Sequence, residues 1–184
     1  MIFINYKVGA AMDLIIKLGD ITKVKADAIV NAANSSLLGG GGVDGSIHRA
    51  AGPKLLDECK KIGGCETGKA KITKGYDLPA KYVIHTVGPV WHGGNEGEES
   101  LLADCYYNSL SLAERYKCSY VAFSSISTGV YKFPLDKAAK IAVKTIMEYG
   151  KDRYVIDKVV MVCFDEKTKE HYDKALKEYK AYED

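Results

Sequence analysis

The chain has 184 residues, 47% hydrophobic and 27% charged. These are ordinary globular proportions, with enough length for one enclosed core. Its 26 lysines and arginines face 24 aspartates and glutamates, a formal charge of +2, so the basic excess of a nucleic-acid-binding protein is missing. No apolar run approaches the roughly 20 residues that cross a bilayer, and MIFINYKVGAAM is too short and polar for a secretory signal.

Residues 1–11 read as an N-terminal extension, either an extra edge strand over Ile2 to Val8 or residues placed ahead of a native start at Met12. The domain is expected over residues 12–184. In chain order, strand-length apolar runs cover Asp13–Leu18 and Ala28–Ala32. Two short helices follow, Asp44–Ala51 and Pro53–Lys61, the second opened by a proline suited to a first turn. Strands are predicted over Ala70–Thr73 and Tyr82–Val87, then a helix over Glu98–Tyr116 with an apolar stripe through Leu101, Leu102, Cys105, Leu110, Leu112 and Ala113. Strand Tyr120–Ser124, helix Leu135–Tyr149, strand Lys158–Phe164 and helix Glu166–Tyr182 complete the series. The Lys/Glu-rich face of the last helix reads as solvated surface. Strands alternating with helices predict a three-layer α/β/α sandwich around a mainly parallel mixed sheet.

The five cysteines, Cys59, Cys65, Cys105, Cys118 and Cys163, are odd in number and form no C-x-x-C pair. A disulfide framework is not expected, and cytoplasmic residence follows.

Open α/β sheets bind ligands beyond the carboxyl ends of their strands, and the chemistry-bearing residues gather there. Gly39-Gly40-Gly41-Gly42-Val43-Asp44 lets backbone N–H groups approach a ligand closely, and the helix that follows turns its positive end toward phosphate. The alternative is a flexible linker with Asp44 as a simple N-cap. Asp44 and His48, four residues apart, share one helical face; helix-face packing also accounts for His48. Ser127-Thr128-Gly129-Val130-Tyr131 is a second such loop, or an ordinary turn. Asp20, after the first strand, suits an exocyclic amine while the next backbone N–H serves a ring nitrogen; helix capping by Asp20 or Thr22 is the alternative. Phe164, at a strand end, can stack on a base or belong to the core. His85, inside an apolar strand, is read as core, and His92 and His171 have no identifiable partner.

GDITKVKADAIVNAANSSLLGGGGVDGSIHRAAGPKL closely resembles the opening of macrodomains of the MacroD type, and HTVGPVW and ISTGVYKFPLDKAAKIAV resemble later blocks of that family in the same order. The resemblance implies an ADP-ribose pocket. Asp20 and Ile21 look like its adenine-reading pair, with Phe164 against the base. Gly41, Gly42 and Val43 look like the first phosphate loop, and Ser127 to Tyr131 like the second. Asn34, Asp44 and His48 occupy the positions linked to hydrolysis. The implied activity is removal of esters from ADP-ribose, with O-acetyl-ADP-ribose and proteins mono-ADP-ribosylated on Asp or Glu as substrates. A non-catalytic ADP-ribose reader is the alternative. Lys132 stands where many members have glycine, which either stiffens the second loop or brings a cation toward the diphosphate. Ser46 replaces a common alanine. The cysteine–histidine cluster of the zinc-dependent branch has no counterpart, so neither metal nor cofactor is expected.

Overall fold

A computed structural model describes residues 11–184; the alternatives for Ile2 to Val8 lie outside them. Six strands form one sheet: β1 (Asp13–Leu18), β2 (Ala28–Ala33), β3 (Ala70–Lys74), β4 (Tyr82–Val87), β5 (Tyr120–Phe123) and β6 (Lys158–Cys163). Their order is β1-β6-β5-β2-β4-β3, with only the edge strand β3 antiparallel to its neighbour. The helices are α1 (Gly42–Ala51), α2 (Pro53–Ile62), α3 (Glu98–Arg115), α4 (Leu135–Gly150) and α5 (Glu166–Glu183).

Alternation along the strands divides the core in two. Ala28, Val30, Val121, Phe123, Val159 and Met161 face one layer, where Leu102, Leu110, Ala142, Ile146 and Tyr172 of α3, α4 and α5 close over them. Ile29, Ala33, Val83, Val87, Val160 and Val162 face the other, under Ile47, Leu55 and Cys59 of α1 and α2. Strands covered on both faces read as apolar runs in sequence for this reason. The predicted sandwich is the observed architecture.

The predicted elements all form, with small shifts at their ends. A short 3-10 helix also forms at Ile21–Lys23, as the capping alternative for Asp20 implies. Helix α1 begins at Gly42, not Asp44. Glycine has poor intrinsic helix propensity, which hides a start made inside a glycine run. Glu98, read only as the first residue of a helix, is buried. Its Oε1 accepts from the N–H groups of His92 (2.9 Å) and Gly94 (3.1 Å), and its Oε2 accepts from Glu96 N–H (2.8 Å). Burial alone would raise the Glu98 carboxyl, but these amides and its own outweigh it and hold it at about 2.

Candidate active site

Because β1, β6, β5 and β2 run parallel, the loops that leave their carboxyl ends emerge on one side. Across the sheet come Asp20 after β1, Phe164 after β6, Ser127–Tyr131 after β5 and Asn34–Gly42 after β2. Three inter-strand steps separate the first from the last, about 14 Å along the edge.

At the β1 end, Asp20 caps the 3-10 helix. Its Oδ1 accepts from Thr22 N–H (2.9 Å) and Thr22 Oγ1 (2.7 Å), which lowers the Asp20 carboxyl. The capping alternative is thus realised, yet both bonds use one oxygen, and Asp20 remains exposed for a second partner. Ile21 is buried against the α1–α2 layer. Phe164 is 91% exposed, which removes it from the core.

The second loop is tightly wound. Ser127 adopts a left-handed φ of 66°, and Phe133 N–H donates to its carbonyl at 3.0 Å. The Ser127 hydroxyl is buried without a partner among the described residues. Close packing against Gly88 allows this: a Cβ at Gly88 would lie 2.0 Å from Ser127 Oγ. A hydroxyl chain supports the loop from below, with Ser125 Oγ 2.7 Å from Thr128 Oγ1 and 2.8 Å from the Tyr172 hydroxyl. Gly129 and Val130 are exposed, and Tyr131 is half-buried, its carbonyl accepting from Trp91 N–H at 2.9 Å. Lys132 takes φ 57°, the conformation that glycine adopts without strain, with its side chain exposed.

The first loop ends in α1. Gly41 is the N-cap, so Asp44 lies inside the first turn, and the capping alternative for Asp44 falls away. Gly41 and Gly42 are exposed, and Val43 is half-buried. Gly45 must be glycine for the loop to close, because a Cβ there would meet the Gly40 carbonyl at 2.5 Å. Asp44 is 5% exposed. Its Oδ1 accepts from Asn31 Nδ2 at 2.8 Å and lies 3.4 Å from His48 Nε2. Its Oδ2 is buried with no partner among the described residues. A Cβ at Gly40 would stand 3.2 Å from this Oδ2 and 3.3 Å from Asn34 Nδ2, so carboxylate and amide flank the same point of the glycine loop. Asn34 Nδ2 donates to the Gly39 carbonyl (2.8 Å), and Asn34 Oδ1 accepts from Ser36 Oγ (2.6 Å). The structure therefore brings Asn34, Asp44 and His48 together.

Asn31, to which sequence reasoning gave no role of its own, holds Asp44 directly. His85 is fully buried, as a core reading requires, but it is hydrogen-bonded to Asn31 rather than simply packed. The signal for both was a polar residue within an apolar strand.

Two further concavities are sizeable: about 950 Å³ between α3 and α4 around Tyr107 and Arg153, and about 780 Å³ beside β3 around Lys71 and Arg115, the latter reaching the first loop only at Ser35. Neither combines an orphaned buried carboxylate with a helix N-terminus. Burial pushes the thiols of Cys59, Cys105 and Cys118 up to about 11 and that of Cys163 to about 12. Those four are poor nucleophiles at neutral pH.

The profile of the Macro domain matches residues 30–142. A macro domain-containing protein of Chlorobaculum tepidum is 62% identical over 157 residues, 85% of this chain and 91% of the relative. The O-acetyl-ADP-ribose deacetylase of Escherichia coli is 55% identical over 162 residues, 86% of this chain and 92% of the relative. Among solved structures, the Oceanobacillus iheyensis macrodomain with ADP superposes with TM-score 0.87 at 45% identity, covering 91% of each chain. The Trypanosoma brucei macrodomain in complex with ADP-ribose gives TM-score 0.84 at 43% identity, covering 89% of this chain and 68% of that one. With a profile match through the glycine loop and relatives this similar over most of their length, the chain belongs to the macrodomain family.

Proposed function

We propose that this protein binds ADP-ribose along the carboxyl edge of its sheet and hydrolyses esters carried on the distal ribose. The substrates are O-acetyl-ADP-ribose and proteins mono-ADP-ribosylated on Asp or Glu. One observation carries the reading: a buried carboxylate oxygen, Asp44 Oδ2, has no partner among the described residues and sits beside the Asn34 amide at a helix N-terminus lined with glycine N–H groups. Such an oxygen is costly to bury unless a ligand or water meets it.

The order of the loops supports the orientation. Asp20, Ile21 and Phe164 take the adenine, Ser127, Thr128, Gly129, Val130 and Tyr131 take the diphosphate from one side, and Gly41, Gly42 and Val43 take it from the other. The distal ribose then lies against Asn34, Asp44 and His48. Asn34 fixes a ribose hydroxyl, His48 steadies the Asp44 carboxylate, and Asp44 orients and polarises a water. Water adds across the ester, the acid leaves, and the ribose hydroxyl is restored. Positioning with general-base assistance of this kind contributes on the order of 10² to 10⁴ in rate. The deacetylase name of the Escherichia coli relative supports the reaction class, and the five free cysteines support residence in the reducing cytoplasm.

The test is product chromatography of O-acetyl-ADP-ribose incubated with wild type and with Asp44→Ala, beside calorimetry with ADP-ribose. The expected outcome is loss of at least about 10²-fold in turnover for Asp44→Ala with ADP-ribose affinity kept. Tight binding by wild type with no product would make the protein a reader instead.

A further inference from the structure

β2 and β4 pair in parallel register with Asn31 opposite His85, and both side chains are fully buried. From them runs an unbroken polar path. Asn31 Nδ2 lies 2.8 Å from Asp44 Oδ1 and 3.2 Å from His85 Nδ1; His85 Nε2 lies 3.0 Å from Thr73 Oγ1, which is 3.5 Å from the Val83 carbonyl.

Proton counting gives this path a direction. An amide nitrogen carries two protons and accepts none. Asn31 Nδ2 therefore donates both ways, to Asp44 and to His85 Nδ1. His85 Nδ1 is then an acceptor, and the ring proton sits on Nε2, aimed at Thr73 Oγ1. Thr73 passes its own proton toward the Val83 carbonyl. Turning the Asn31 amide over would set its oxygen against the Asp44 carboxylate, so the assignment is forced by charge. A second proton on His85 would point at the Asn31 NH₂.

We propose that Thr73, His85 and Asn31 form a buried positioning relay that locks the Asp44 carboxylate with Oδ2 as its working oxygen, and that His85 acts in it as a permanently neutral Nε2–H imidazole. This rests on the role given to Asp44 above. Oδ1 is engaged by Asn31 and faces His48, so rotation of the carboxylate would break the buried bond. Burial, aided by nearby His48, keeps the His85 imidazole down at about 3, so no proton arrives to reverse the chain near neutral pH. The remaining group against His85 is Cys59, whose Sγ lies 3.9 Å from Nε2 and whose thiol burial pushes up to about 11. Apolar residues would fill this layer without the desolvation cost of an amide and an imidazole. The relay runs toward the one carboxylate buried at the mouth of the glycine loop.

Three measurements test it. The first compares kcat on O-acetyl-ADP-ribose for wild type, Asp44→Ala, His85→Phe, Thr73→Val and Thr73→Ser. The second is calorimetric ADP-ribose affinity. The third is the imidazole ¹⁵N spectrum of His85 from pH 8 to 5. Thr73→Val is isosteric and removes the hydroxyl that accepts from His85 and donates to the Val83 carbonyl, so it serves if His85→Phe fails to fold. Misplacing a catalytic group by about 1 Å costs up to roughly 10². His85→Phe is expected to lose about 10-fold or more in kcat and Thr73→Val several-fold, with affinity within about 3-fold of wild type. Thr73→Ser restores kcat, and His85 shows the neutral Nε2–H tautomer throughout.

Full kcat in folded His85→Phe and Thr73→Val beside an inactive Asp44→Ala overturns the relay alone. An Nδ1–H tautomer, or titration of His85 near its ordinary value, also overturns it. Full turnover by Asp44→Ala overturns the role of Asp44 and the relay with it; the tautomer spectrum, which needs no turnover, still separates the two failures.

Discussion

A phenylalanine that is 91% exposed at the end of a core strand keeps an apolar ring in water at a cost that nothing in the fold repays. Phe164 follows Cys163, whose carbonyl accepts from Gly19 N–H at 2.9 Å, so the ring emerges beside the Asp20 loop. Base–aromatic stacking is worth about 1–3 kcal/mol. Phe164→Ala is therefore expected to weaken ADP-ribose binding by at least about 5-fold while moving stability by less than about 0.5 kcal/mol. Calorimetry and a denaturant midpoint read the two effects. Equal losses in affinity and stability would place the ring in the fold instead of the site. At this scale the glycine run, Asp44 and His48 were legible because spacing four apart on a helix guarantees their proximity. Asn31 and His85 were not, because their contact depends on which strands pair and in what register, and β2 and β4 are separated by two helices and the strand β3.

Element ends depend on groups that periodicity does not register. Apolar runs of strand length located all six strands, whereas the start of α1 needed a glycine read as a cap and another as the first helical residue. The segment before α3 is held by a carboxylate that sequence reasoning assigned to a helix start. Glu98 collects the amides of His92, Gly94 and Glu96 and fixes the stretch between β4 and α3. That stretch carries Trp91, whose ring packs at a tilt against Phe133, centroids 4.7 Å apart, just past the second loop. Because the folded-state carboxyl is lowered to about 2 from an ordinary 4.5, its contribution is complete above pH 4.5 and is lost as pH falls toward 2. Glu98→Gln is accordingly expected to melt below wild type at pH 7, and the gap in Tm should narrow as pH falls from 4.5 toward 2. A gap that stayed constant would mean that the charge of Glu98 contributes nothing.

At the scale of the whole molecule, the described residues contain no helix long and apolar enough to cross a membrane. The predicted sandwich, with helices on both faces, is what alternating strands and helices require. The strand order was beyond reach, since nothing local says that β6 inserts between β1 and β5.

That insertion has a consequence for how the protein can be joined to others. The first and last strands lie side by side and point the same way, with Asp13 N–H bonded to the Asp157 carbonyl where both begin. Helix α5 then runs back along the sheet, and Glu183 near its close meets Lys151, just ahead of β6, at 2.9 Å. The described chain thus enters and leaves at the rear of the sheet, with the candidate site loops at the front. A bulky neighbour tethered after α5 would hang behind those loops, and a fluorescent protein fused at the carboxyl end is expected to leave ADP-ribose affinity within about 2-fold of the free domain.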